Sequence, residues 1–422
     1  MELKKIHISD IGKVVTGKTP RTSVAENYGG DIPFLTPSDN LSHKSAPKTI
    51  KTLTKQGLNE VKNCLLPPQS VCVSCIGSDL GKVVMTVEPT VTNQQFNSIV
   101  PNENFNADFV YYLMSQVGKE LNYLSKTSTA VPIINKSSFS NYEVEVPSLK
   151  VQEKIASILA SLDSKIELNR RINDNLEQQA QALFKSWFVD FEPFKDGKFV
   201  ESEMGMIPEE WKVASLKELV FNTNSGDWGK EEPTGNYTVR VYCMRGADFP
   251  EVKEGNIGKM PIRYILQKNF DNKALKHGNM IVEISGGSPT QSTGRAVLID
   301  KIFIDYCENA LVCTNFCRSL TIREKYALFF FLTWQCLYDK KVMFIYENGS
   351  NGLKNLNLND LLEKETIVIP PLEIIERFNL LTAKLFELKY FNGSETARLN
   401  QIRDTLLPRL MSGELKINDL NC

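Results

Sequence analysis

Hydrophobic and polar positions along the chain fall into two kinds of pattern, and each kind occurs twice. Residues 1–148 show short alternating runs broken by Gly and Pro. Segments 70–75 and 81–87 read as strands flanking a turn. Segment 108–124 reads as a helix, with Phe109, Leu113, Val117, Leu121 and Leu124 on one side. The same plan returns later, with strands expected at 279–285 and 295–300 and a helix at 325–337. Each globule is a mixed α+β body of about 150 residues, an ordinary domain size. After each comes a Val/Ile-Pro-x-Leu lead-in and then a long helical stripe. In the first, Ile155, Ile158, Leu159, Leu162, Ile166, Ile172, Leu176, Ala180, Leu183 and Trp187 recur with heptad-like spacing. In the second, Phe378, Leu381, Leu385, Leu388, Leu399, Ile402, Leu406 and Leu410 do so. Stripes of this length predict pairing with another helix.

The two stripes are a repeat. Val146-Pro147-Ser148-Leu149 returns as Ile369-Pro370-Pro371-Leu372, 223 residues on. The offset then holds without a gap through Ile155/Phe378, Leu162/Leu385, Asn169/Asn392, Leu176/Leu399 and Leu183/Leu406. A two-copy repeat with one helix per copy predicts pseudo-two-fold symmetry, with the helices antiparallel and acting as a rod between the globules. Asn169 and Asn392 then meet at mid-stripe, where a buried polar pair fixes the register. Gly393 weakens the second helix, and Pro408 should kink or end it near residue 407. Segment 190–198, with Gly205 and Pro208, reads as an extended connector. The expected organisation is a first recognition globule at 1–148, a central helix at 149–190, a linker at 191–207, a second globule at 208–370 and a C-terminal helix at 371–415. Duplex DNA is the commonest cellular object with a matching two-fold character.

Charge tempers that expectation. The formal net charge is −1, whereas a protein that coats DNA unaided carries a large positive excess. Local patches or partner subunits must supply the positive field. The N-terminus lacks a signal-like apolar run, and the longest apolar run, 326–337, is too short for a membrane span of about 20 residues. A cytoplasmic protein with no membrane association is expected. The nine cysteines then read as free thiols. Cys72-Val73-Ser74-Cys75 lacks the second CxxC of a zinc knuckle, and no metal or cofactor is expected.

Catalytic motifs fail. Segment 77–83 resembles a phosphate loop but is one residue short between its glycines and carries Val83 where a hydroxyl should bind magnesium. There is no HExxH, GxSxG or GxGxxG, no Asn-Pro-Pro-aromatic tetrapeptide, and only three histidines. The chain is read as binding rather than catalysing.

Candidate contacts lie in polar loops of both copies. In the first, Lys18, Thr19 and Arg21 share a turn, and Lys44, Lys48 and Lys51 belong to a basic stretch suited to phosphates. Asn93, Gln94 and Gln95 carry amides of the type that pair with adenine edges. In the second copy the candidates are Trp228, Arg240, Arg245, Gln291, Arg295, Asn348 and Asn351.

With these residues identified, the chain resembles the specificity subunits of type I restriction–modification systems. The resemblance rests on segments 168–177 and 182–193, which are similar to the family's central region. It rests also on 205–213, similar to the opening of the second target-recognition domain, and on 406–415, similar to the C-terminal signature. Segments 17–20 and 146–154 fit as well. The resemblance implies two target-recognition domains, each reading one half of a split DNA sequence, with an antiparallel helical coiled coil as the ruler between them. It implies two methylation subunits docked on the helices to make an adenine methyltransferase, and restriction–translocase subunits to complete the nuclease. Because the two globules differ in sequence, the two half-sites should differ. The rival readings are an assembly scaffold that reads no DNA, a nuclease or P-loop hydrolase built around 77–82, and a stand-alone DNA-binding regulator.

Overall fold

The computed structural model of the chain describes residues 2–77, 80–126, 133–288, 291–350 and 353–415. Contacts divide the chain into two units, Met1–Ser164 with Asn400–Cys422, and Lys165–Leu399. The division cuts both long helices, Leu149–Phe188 and Leu372–Met411, each an unbroken run of 40 residues. The helices therefore do not form a domain of their own. Their ends are built into the cores of the two units.

In the first unit, strand Lys4–His7 pairs antiparallel with Glu143–Val146, joining the start of the globule to its end just ahead of the long helix. A four-stranded sheet follows in the order Gly12–Thr16, Phe96–Pro101, Val71–Ser74, Val83–Met85. A second sheet has the order Lys51–Leu53, Tyr28–Leu35, Thr90–Thr92, Leu65–Leu66, with Tyr28–Leu35 and Thr90–Thr92 parallel. Helix Ala107–Lys126 buries Phe109, Val110, Leu113, Met114 and Val117 against the first sheet. Ile155, Ala156 and Leu159 of the first long helix complete that core, together with Leu407 and Leu410 of the second.

The second unit repeats this topology. Lys212–Ser215 pairs with Thr366–Ile369, again just before the long helix. Its four-stranded sheet runs Val220–Ser225, Cys317–Ile322, Asn279–Glu283, Ala296–Leu298. A three-stranded sheet runs Ile262–Leu266, Tyr237–Met244, Leu311–Cys313, the last two parallel. Helix Ala327–Asp339 supplies Phe329, Phe330 and Trp334 to a core that the long helices enter through Phe184, Trp187, Phe188, Ile375 and Phe378. Phe188 sits 4.8 Å from Phe378 and 5.0 Å from Phe329 between ring centroids, in edge-on arrangements favoured by aromatic quadrupoles.

Four expectations need correction. Segment 191–207 is not an extended connector: Phe199–Ser202 and Gly205–Pro208 form a hairpin. Phe191 and Phe194 pack on Trp211, so aromatic burial ties the segment to the second unit. The second helix runs past Pro408 to Met411, because Pro408 lies in its final turn and forfeits few backbone bonds. Burial of Leu407 and Leu410 on either side outweighs that loss. Gly393 is not merely a weak point, since its missing Cβ lets the backbone of Glu254 and Gly255 approach the helix directly. Finally, Leu381, Leu388 and Ile402 are exposed. The inner positions of the second helix in this unit are Phe378, Thr382, Lys389, Asn392 and Thr396, so the seam is largely polar where a leucine stripe was expected.

That seam shows how the pair is registered. Within the second unit the helices run antiparallel, with residues 169, 173 and 177 opposite 396, 392 and 389 in turn. Asn169 and Asn392 do come together, through the Asn169 amide donating to the Asn392 backbone carbonyl at 3.4 Å. Their side chains do not bond each other. Asn392 Nδ2 donates to Asn173 Oδ1 at 3.0 Å, and Asn169 Nδ2 donates to Thr396 Oγ1 at 3.3 Å. Thr396 lies at the repeat position of Asn173, so the two bonds join corresponding positions of the repeat. Asn169 also donates to Glu395 at 2.7 Å, and Asn173 to the Lys389 carbonyl at 3.0 Å.

Candidate nucleic-acid interface

The strand registers identify which loops of the two units correspond. Thr16 pairs with Asn97 in the first unit and Ser225 with Arg318 in the second, so Gly17 matches Gly226 and Gln95 matches Phe316. At both places a strand ends on a glycine lodged under a neighbouring loop. A Cβ on Gly17 would collide with the carbonyl oxygens of Thr92 and Asn93, and one on Gly226 with those of Cys313 and Thr314. The loops are then stitched by the same backbone bonds. Lys18 N donates to Thr92 O at 2.9 Å, and Asp227 N donates to Cys313 O at 2.8 Å. Asn93 N donates to Leu35 O at 3.0 Å, and Thr314 N donates to Met244 O at 2.9 Å.

In the first unit this brings together two groups that the sequence keeps far apart, Lys18/Thr19 and 93–95. Thr19 Oγ1 donates to Gln94 Oε1 at 2.6 Å. Asn93 is buried and braces the turn, its Nδ2 donating to Gln95 Oε1 at 2.9 Å. Lys18 and Gln94 are exposed at the tip. Arg21 lies one step along the same segment but is held by Glu60 at 2.9 and 2.7 Å, and its hydrogen bonds draw the Glu60 carboxyl down to about 2.

The lysines of the basic stretch separate. Lys48 and Lys51 are exposed. Lys44 is an internal brace: it pairs with Asp108 at 2.6 Å, donates to the Tyr112 hydroxyl at 3.2 Å and lies 4.7 Å from the Tyr112 ring centroid. Tyr112 donates in turn to Asp163 on the first long helix, which accepts from Arg403 on the second at 2.8 Å. Burial and the neighbouring Asp163 push the Tyr112 hydroxyl far up, so it stays a donor. Lys44 therefore lacks the freedom of a phosphate ligand.

In the second unit Trp228 stands at the tip of the turn following Gly226 and is 38 % exposed. The arginine candidates are bonded internally. Arg245 forks onto Asp248 at 3.0 and 2.8 Å, and Arg295 onto Glu283 at 2.8 and 2.7 Å. Arg240 reaches Glu308 at 3.1 Å. These guanidiniums shape the domain more than they await an anion. Gln291 and Asn348 are exposed, Asn348 in the strand Glu347–Ser350, while Asn351 lies outside the described residues. The part of the site missed from sequence is 314–316, the partner loop of Trp228. Its match to 93–95 is hidden because insertions shift the offset from one loop to the next, and only strand pairing restores it.

Among the described residues no group of three His, Cys, Asp or Glu is placed to hold a metal ion. Cys72 is pushed up to about 12 and Cys75 to about 11, in both cases mainly by burial. The segment 77–83 joins two paired strands, with Ser78 and Asp79 outside the described residues. No described helix is long and apolar enough to cross a membrane.

Comparison with known proteins agrees with this architecture. The family model described as type I restriction modification DNA specificity domain matches residues 1–178 and again 208–402. The chain is 30 % identical over 436 residues to the type I restriction enzyme MjaIX specificity subunit of Methanocaldococcus jannaschii, covering 99 % of this chain and 94 % of that one. It is 36 % identical over 174 residues to the HindI specificity subunit of Haemophilus influenzae, covering 40 % of this chain and 38 % of that one. The crystal structure of the S subunit of a type I system from M. genitalium has the same fold, with a TM-score of 0.53 at 14 % identity over 97 % of this chain and 96 % of that chain. Two matched domains, full-length similarity and a shared fold place the chain in one family: it belongs to the DNA specificity subunits of type I restriction–modification systems.

Proposed function

We propose that each unit presents its glycine-anchored loop pair to duplex DNA, so that the chain reads an asymmetric, gapped site of two different half-sites. The observation that carries this reading is the pairing of one backbone frame with unlike tips: Lys18, Thr19, Gln94 and Gln95 in one unit, Trp228, Asn315 and Phe316 in the other. A shared frame positions the loops, and different side chains then select different bases. Lys48 and Lys51 contribute phosphate contacts. The chain itself does no chemistry and recruits two methylation subunits and restriction–translocase subunits. Exposed Leu381, Leu388 and Phe391, which lie on one side of the second helix, supply an apolar stripe suited to such docking. The asparagine ladder sets the helix register. Replacing both Asn169 and Asn392 by Leu leaves Asn173 and Thr396 without these partners and should cost about 1–3 kcal/mol, while admitting other registers or oligomeric states in native mass spectrometry.

The deciding experiment is a genome-wide map of methylated adenines in host cells with and without this chain. Loss of one bipartite motif is the expected result. An unchanged map, with no methylation subunit co-purifying, would favour a scaffold.

A further inference from the structure

The second unit carries two exposed aromatic side chains on adjoining loops, Trp228 at 38 % and Phe316 at 60 % exposure. Neither adds to the core, and the matching positions of the first unit are the polar Thr19 and Gln95. Trp228 is braced rather than loose. The Asp227 carboxylate accepts from Gly229 N at 3.0 Å and from Asn269 Nδ2 at 2.6 Å, fixing the turn. The Arg263 guanidinium covers the indole at 3.8 Å from the ring centroid, is itself buried, and is tethered by Glu231 at 2.8 Å. Arg263 Nε is buried without a partner, so its stack on Trp228 is among the contacts that hold it. Phe316 is set by its carbonyl, which accepts from Ile284 N at 2.9 Å, and by the turn closed from Cys317 N to Thr314 O at 3.0 Å. The adjacent Asn315 is exposed, and its carbonyl accepts from Arg318 at 3.0 Å. Lys273 holds the Gly226 carbonyl at 2.9 Å, so cations anchor both loops beside the aromatics.

A ligand that offers apolar groups fits these exposed rings, and the apolar group of the DNA major groove is the thymine 5-methyl. We propose that Phe316, on the loop bonded to the Trp228 turn, reads a thymine methyl in the half-site of the second unit, with Asn315 on a neighbouring base edge. The proposal rests on the reading that this unit contacts DNA, and it adds what the unit recognises: a half-site with an obligatory thymine, distinguished by its methyl group. The polar tip of the first unit has no equivalent requirement.

The test uses the full chain with its methylation subunits. Methylated adenines are mapped in cells carrying the wild type, Phe316→Ala or Trp228→Ala. Binding is then measured to duplexes with uracil replacing each thymine of the motif in turn. Phe316→Ala should relax one thymine position in one half-site and leave the other half-site and the gap unchanged. Uracil at that position should weaken wild-type binding by about 5- to 30-fold and leave the Phe316→Ala variant almost indifferent. A motif unchanged by Phe316→Ala, or uracil tolerated at every position, would overturn the proposal. Absence of any bipartite motif for the wild type would instead remove the DNA-reading function itself. Since Phe316 is exposed, the untouched half-site doubles as the control for folding.

Discussion

The two units share the strand order of their four-stranded sheets and one way of closing on their helix, yet they carry different side chains at the loops and in the seam. The loop tips differ, and so do the charges in the seam. In the first unit Asp163 and Arg403 bond across the helices and through Tyr112 to the globule. The repeat places Phe386 and Ala180 at the matching positions. In the second unit Lys389 pairs with Glu177 at 2.7 Å, while the repeat places Ile166 and Asn400 opposite. Neither ion pair is copied, whereas the asparagine ladder between them is. The repeat thus keeps polar residues at 169/392 and 173/396 and changes the ion-paired positions.

The sharpest way to break this comparison is Asp163→Ala. It leaves Arg403 with only its sequence neighbour Asp404 and the Tyr112 hydroxyl without its acceptor, and should cost the first unit on the order of 3 kcal/mol. Hydrogen exchange under mild denaturant should show the loss in 1–164 and spare the second globule. Equal loss in both would mean the units do not differ as described. Next in size, Gly17→Ala and Gly226→Ala each drive a methyl into a carbonyl pair. Each should weaken site-specific binding by about 10- to 100-fold, in line with roughly 1–3 kcal/mol of overpacking. A variant that bound normally would show that its loop pair is not part of the reading surface.

A smaller, pH-dependent effect separates the units again. Burial and the nearby Glu251 raise the Glu254 carboxyl from its ordinary 4.5 to about 7. The folded second unit holds that proton more tightly than the unfolded chain, so stability is greatest below about 4.5 and falls as pH rises through about 7. The decline should be on the order of 2 kcal/mol and absent from Glu254→Gln, as read from urea midpoints between pH 5 and 8. A variant as pH-sensitive as the wild type would assign the decline to another group. The smallest effect belongs to Lys48→Ala and Lys51→Ala. Each should weaken binding to all sequences alike and flatten the salt slope by about 1, leaving the methylation motif unchanged.

Much of this was legible because periodicity and repeat are local signals. Helices observed at Ala107–Lys126 and Ala327–Asp339 were expected at 108–124 and 325–337, since apolar residues one turn apart report one buried face. The ungapped offset of the long stripes located both 40-residue helices and brought Asn169 to Asn392. Which stripe faces inward was not legible. Leu381 and Leu388 look like seam residues, yet Lys389, Asn392 and Thr396 occupy the seam because their polar atoms find partners across it. The roles of the arginines were hidden for the same reason, as Arg245 and Arg295 are cations in the sequence and half of a bonded pair in the fold.

Sequence by itself determined the duplication, the alternation of globule and helix, and the family, all of which depend on which residues follow one another. Only the tertiary structure decided that Gly17 meets Thr92 and that Gly226 meets Cys313, and with them where Gln95 and Phe316 stand. Those meetings join segments some 75 residues or more apart through backbone hydrogen bonds, which any residue but proline can make and which leave no mark on composition or periodicity.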